Sequence, residues 1–151
     1  MATAQDVAAY ILEKRGLTEA MKLHKLVYYS KAWSLVWDDD PLFGERIEAW
    51  ANGPVCRSLY STYHREYMIE TPAGGASANL SQDQKATIDA VLDAYGEKSA
   101  LELSELTHRE SPWRDARKGI PDGARSQSPI TDEAIKAFYE GLLTSADSEP
   151  V

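Results

Sequence analysis

Residues 19–37 contain Met21, Leu23, Leu26, Val27, Tyr28, Tyr29, Ala32, Trp33, Leu35, Val36 and Trp37. On a helix of 3.6 residues per turn these side chains point to more than one face, not along one stripe. A helix that is apolar nearly all round must be surrounded by other elements, so the segment predicts a central, buried helix. Thr18 stands where an N-cap would stand. The run Asp38-Asp39-Asp40-Pro41 ends the helix, because Pro41 cannot continue it.

The remaining punctuation predicts more helices. Thr3 with Asp6 resembles a capping box and Gly16 a stop, giving a helix near 4–15. Residues 42–55 change character: Ile47, Ala49 and Ala51 alternate with Glu48, Trp50 and Asn52, the period of a short strand. Asn52-Gly53-Pro54 is turn chemistry, with Pro54 suited to open a helix in which Leu59, Tyr60, Tyr63 and Tyr67 recur to about residue 68. Thr71–Ser77 reads as a mobile loop. Ser81 with Gln84 and Ser99 with Glu102 are capping boxes, the first followed by an apolar stripe of Ile88, Val91, Leu92 and Tyr95. Ser111-Pro112-Trp113 is a further helix start, and 118–128 a loop. Thr131 caps a last helix whose buried face is Ile135, Phe138, Tyr139 and Leu142. The expected architecture is mainly α: a single domain, 1–143, of six or seven helices around the helix 19–37, with a short β element near 42–52 and a disordered tail at 144–151.

Charge narrows the partners. The chain is acidic, with net charge −8 and pI about 4.9. Residues 1–37 carry five Lys/Arg against three Asp/Glu, whereas 38–110 carry six against fourteen. Nucleic acids attract Lys and Arg to phosphate, so direct nucleic-acid binding is not expected. An acidic face suits a basic protein partner, or simply keeps the domain soluble. The single cysteine, Cys56, excludes an intrachain disulfide and fits a reducing cytoplasm. No basic leader and no apolar run of membrane-spanning length is present, so neither secretion nor a membrane is expected.

No phosphate loop, dinucleotide fingerprint or nucleophile elbow occurs in the sequence. Two constellations keep an enzyme in play: Cys56 as nucleophile with His64 as base, and a composite metal site from His24, Cys56, His64 and His108. Neither has motif spacing, and no cofactor or metal is expected. Interface chemistry is better represented. Asp38, Asp39 and Asp40 oppose the dipole of the helix they end, which leaves open that they meet basic residues of a partner. Trp33 and Trp37 are one turn apart and belong to the core, whereas Trp50 lies on the polar phase of its strand. The expected contact residues are therefore Asp38, Asp39, Asp40, Glu48, Trp50 and Tyr67.

Three blocks of sequence carry a resemblance. Lys22-Leu23-His24-Lys25-Leu26-Val27-Tyr28-Tyr29-Ser30-Lys31-Ala32-Trp33 is similar to the opening helix motif of the Panacea (SocA-like) antitoxin domain of toxin–antitoxin systems. Pro41-Leu42-Phe43-Gly44, Ile47–Val55 and Leu59-Tyr60 resemble its second block. Leu103-Ser104-Glu105-Leu106-Thr107-His108-Arg109-Glu110-Ser111-Pro112-Trp113 resembles its third. The resemblance implies a non-enzymatic, cytoplasmic antitoxin that neutralises, by direct contact, a toxin encoded by an adjacent gene. It also implies structural roles for the shared residues: Gly53 and Pro54 set a turn, Leu26, Tyr28, Trp33, Tyr60 and Trp113 pack, and Thr107 and His108 hydrogen-bond. Some members carry a DNA-binding module, for which this chain has no room. Two alternatives stay open: an adaptor that hands the toxin to an ATP-dependent protease, and a Cys/His enzyme. Self-association into a homo-oligomer stays open too.

Overall fold

The computed structural model describes residues 2–148. In chain order its elements are α1 (Ala4–Arg15), β1 (Thr18–Glu19), α2 (Ala20–Trp37), β2 (Ile47–Trp50), β3 (Gly53–Cys56) and α3 (Arg57–Tyr63). Then follow β4 (Met68–Ile69), α4 (Gln82–Tyr95), α5 (Ala100–His108), α6 (Ser111–Ala116), β5 (Pro129–Ile130) and α7 (Asp132–Ser148). The protein is thus mainly α, with seven α-helices and five short strands among the described residues. No helix among them is long and apolar enough to cross a membrane.

The three capping boxes form as their side chains dictate. Thr3 Oγ1 accepts from Asp6 N at 3.1 Å while Asp6 Oδ2 accepts from Thr3 N at 2.9 Å, and Ser81/Gln84 and Ser99/Glu102 repeat the exchange. α1 stops at Gly16, whose φ of 75° suits glycine. α2 buries residues on all sides, from Leu23 through Leu35, and touches α1, α4, α5, α7 and β3. Tyr29 stacks on Tyr95 of α4 with centroids 4.1 Å apart, and the Tyr29 and Tyr139 hydroxyls each donate to buried Glu110 at 2.7 Å. Burial raises the Glu110 pKa above the ordinary carboxylate value, against those two donors.

Several local expectations are corrected. Thr18 is not the cap of α2. It pairs with Ile69 across the β1–β4 ribbon, and its hydroxyl donates to Gly16 O at 2.9 Å. Pro54 does not open a helix. Gly53 and Pro54 lie within β3, and proline is tolerated there because β3 is an edge of the sheet β3-β2-β5. α3 ends at Tyr63, so Tyr67 sits outside it, ahead of β4. The segment 71–77 is held on α1: Asp6 Oδ1 accepts from Ala76 N at 2.9 Å and from Asn79 Nδ2 at 3.0 Å, and Gly75 packs against the Gln5 backbone. Leu142, expected in the buried face of α7, is 45% exposed. α7 runs on to Ser148, through the first part of the expected tail, whose remainder at 149–151 lies outside the described residues.

Candidate protein-docking site

The β2–β3 hairpin (Ile47–Cys56) is short, and two-stranded pieces of this size have little stability of their own. Side chains from three other elements hold its tip. Arg117, buried just past α6, donates Nη1 to Ala49 O at 3.0 Å, and Trp113 donates Nε1 to Trp50 O at 2.7 Å. Ser104 of α5 donates to Asn52 O at 2.6 Å, and Lys25 of α2 donates Nζ to Pro54 O at 3.4 Å. Four carbonyls of one hairpin are therefore satisfied by side chains. The three sequence blocks singled out above meet here, with Lys25, Gly53-Pro54 and Ser104–Trp113 in one junction.

Gly53 has a φ of 127°, and a Cβ on it would lie 2.5 Å from Lys25 Cε and 3.0 Å from Thr107 Oγ1. The lysine stem thus occupies the space a side chain at 53 would need. Lys25 is buried, forms no ion pair among the described residues, and burial pulls its pKa down to about 7. Burial, then the neighbouring Lys25, brings His24 down to about 3, and His108 is lowered by burial, Lys25 and Arg117. Thr107 donates to Ser104 O at 2.7 Å, closing its own helical turn. His108 stacks flat on Trp113 at 3.9 Å. His24 Nδ1 and His108 Nε2 are buried without a partner among the described residues, so the expected hydrogen bond of His108 through this atom is not formed.

On the outer side of the hairpin one carboxylate organises an exposed cluster. Glu48 is buried, with its side chain 3% exposed, which places it under, and not on, an acidic face. Its Oε1 accepts from Trp50 Nε1 at 2.8 Å and Arg57 Nε at 3.3 Å; its Oε2 accepts from Arg46 Nε at 3.1 Å, with Nη2 at 3.0 Å. Burial works to raise the Glu48 pKa. The Trp50 and Arg57 hydrogen bonds and the two guanidinium charges outweigh it, and the carboxyl titrates below its ordinary value. Trp50 is also met edge-on by Tyr60 at 4.8 Å, and Tyr60 lies 6.1 Å from His24. Beside this cluster Arg46, Arg57, Ser58, Ser61 and Gln127 line an open groove of about 600 Å³. Arg46, Glu48 and Trp50 share one strand phase, a signal that sequence could have offered. Arg57 gives none, because only the fold brings it back to Glu48.

The other expected contact residues are scattered. α2 has 18 residues, about 27 Å of helix at 1.5 Å per residue. Asp38–Asp40 lie at its C-terminal end and Tyr67 at its N-terminal end. The acidic run is a built turn. Asp38 Oδ2 accepts from Thr87 Oγ1 at 2.5 Å, Asp39 pairs with Lys136 Nζ at 2.6 Å, and Asp40 Oδ1 accepts from Leu42 N at 3.1 Å. Asp39 and Leu42 have φ of 50° and 67°. Tyr67 is exposed and donates to Glu19 Oε2 at 3.2 Å. Among the other motif residues, Leu26, Tyr28 and Trp33 are core, Trp33 donating Nε1 to Tyr95 Oη at 2.9 Å.

The enzyme constellations are not assembled. Cys56 is buried with Sγ 3.4 Å from Ser58 Oγ, while His64 is exposed, with its ring nitrogens on Ser61 O and Arg65 Nε. Among the described residues no group of three or more His, Cys, Asp or Glu is placed to hold a metal ion.

Comparison with known proteins gives no match to a curated protein and none to a solved structure. A family model does match, over residues 23–114, more than half of the chain. Those residues carry α2, the hairpin, Glu48 with its three donors, and the helices that pin the hairpin tip. The chain belongs to the SocA-like antitoxin family and carries its Panacea domain.

Proposed function

We propose that the domain is the antitoxin of a toxin–antitoxin pair and neutralises its toxin, encoded by the neighbouring gene, by direct protein–protein binding in the cytoplasm. Membership of the antitoxin family carries this function. The composition of the exposed cluster supports it: Trp, Tyr and Arg dominate the energetics of protein interfaces, and Trp50, Tyr60, Arg46 and Arg57 lie together on one face. Within this function Trp50 is a contact residue and Glu48 orients it. Asp38–Asp40 and Tyr67, at opposite ends of α2, serve the encounter and the rim of the complex.

The test is co-expression of the chain with its gene neighbour, read by growth and by co-purification. Direct neutralisation requires that the neighbour alone arrests growth, and that the chain restores growth while eluting with it in a stoichiometric complex. Recovery without a complex, together with loss of the neighbour only when an ATP-dependent protease is intact, means the domain works as an adaptor. A neighbour harmless to the cell removes the antitoxin function altogether.

A further inference from the structure

Resting on the antitoxin function proposed above, we infer that the groove between Arg46 and Arg57 is the seat of an acidic segment of the toxin, one that places an Asp or Glu beside an apolar side chain. The overall charge of −8 favours a basic partner, but the local field here has the opposite sign. The Arg46 and Arg57 side chains are 59% and 49% exposed, whereas Glu48 beneath them is sealed off. Glu45, the other acid at the groove, has Oε2 engaged by Ala4 N at 3.0 Å. Arg57 uses only Nε on Glu48, and its terminal amino groups make no hydrogen bond among the described residues. Arg46 holds Glu48 and Gln127 O. What the groove offers to solvent is therefore two guanidinium edges and the hydroxyls of Ser58 and Ser61, a set that matches a carboxylate.

The site is also pre-formed. Glu48 holds both guanidinium groups and the Trp50 indole, and Tyr60 braces the indole from the side. Side chains already held in one conformation lose less entropy on binding, so contacts of this kind yield more affinity per contact than mobile ones. An acid entering the groove meets the free edge of Arg57, and the apolar neighbour of that acid lies on the Trp50–Tyr60 ledge. The carboxylate fixes register and the aromatics supply most of the affinity.

The experiment measures binding of the chain to the protein encoded beside its gene, with the wild-type complex as reference. Failure of the wild type to bind speaks against the antitoxin function and is read separately from the variants. Given wild-type binding, Arg46→Gln/Arg57→Gln should weaken it at least tenfold, whereas Lys118→Glu, a charge change on an exposed residue elsewhere, should leave it within twofold. Ser61→Glu is the second variant. The Ser61 hydroxyl makes no hydrogen bond among the described residues, so this change adds a negative charge to the groove without removing a native contact. It too should weaken binding tenfold with an unchanged urea midpoint. On the toxin, neutralising one particular Asp or Glu should reproduce the loss and should not add to Arg57→Gln in a double-mutant cycle. Wild-type affinity of Ser61→Glu, or the absence of any such acid on the toxin, overturns the inference. So does a chain that dimerises through this groove and becomes monomeric when Arg57 is changed.

Discussion

Gly53 lies directly over the stem of Lys25: a Cβ at position 53 would stand 2.5 Å from Lys25 Cε. A buried lysine without an acidic partner is costly, and here it occupies room that only a glycine leaves free. Gly53→Ala meets both the clash and a backbone φ of 127° that side-chain-bearing residues rarely adopt. It should destabilise the domain by about 2 kcal/mol or more, read as a lower urea midpoint. Lys25→Ala in the same chain should recover only the part due to the clash, because the φ strain stays.

Lys25 sets a pH dependence of unusual sign. Its folded pKa is about 7 against an ordinary 10.5, so between those values the unfolded chain binds more protons than the folded one. Stability from this group therefore rises with pH from about 7 toward 10.5, with a slope approaching about 1.4 kcal/mol per unit. Lys25→Met keeps the apolar stem and removes the titration. Urea denaturation from pH 6 to pH 9 should show the wild type gaining on the variant at each step. Parallel curves would mean that Lys25 is solvated.

Glu48→Gln keeps the shape of the side chain but leaves three donors sharing a neutral group. Both arginines are half-exposed and can turn to water, so the cost should be about 2 kcal/mol, less than for a fully enclosed pair. The Glu48 pKa lies below its ordinary 4.5, so its contribution is complete above that value and is lost as pH falls beneath it. The difference between wild type and variant should thus be flat at neutral pH and shrink in acid. The Trp50 fluorescence spectrum of the variant should shift, because its indole loses a charged acceptor.

Trp113→Phe retains a ring for His108 to stack on and removes only the indole donor to Trp50 O. A loss of about 1–2 kcal/mol is expected, the cost of one orphaned, part-buried carbonyl.

The acidic run should divide by residue. Asp39→Ala breaks an exposed pair with Lys136 and should change stability by less than about 1 kcal/mol. Asp38→Ala removes the acceptor of the buried Thr87 hydroxyl and should cost about 1–2 kcal/mol. If the three acids steer a toxin, reversing their charge slows association and flattens its salt dependence. An unchanged rate at low salt would leave them only the structural role that Asp38 and Asp40 already have.

Local chemistry was legible where a few neighbouring residues decide the outcome. The three capping boxes are written in Thr3/Asp6, Ser81/Gln84 and Ser99/Glu102, and each forms. What escaped was set by distant partners. The β1–β4 ribbon pairs residues 18–19 with 68–69, and two-residue strands have no periodicity to detect. Glu48 has the strand phase of an exposed residue, and it is buried because Arg46 and Arg57 fold over it. The acid run looked like a poor helix end because its compensations, Thr87 and Lys136, lie 49 and 97 residues further along the chain.

The satisfied carbonyls of the hairpin also set an order of events. Residues 47–56 leave the ribosome early, but the donors that hold their tip are Ser104, Trp113 and Arg117, and the third strand of the sheet is Pro129–Ile130. A nascent chain halted near residue 100 has Arg46, Glu48, Trp50 and Arg57 but nothing to fasten the strand that bears them. The docking face is consequently a late product of translation, complete only when most of the polypeptide has emerged, and incomplete chains released before that point bring no protection with them.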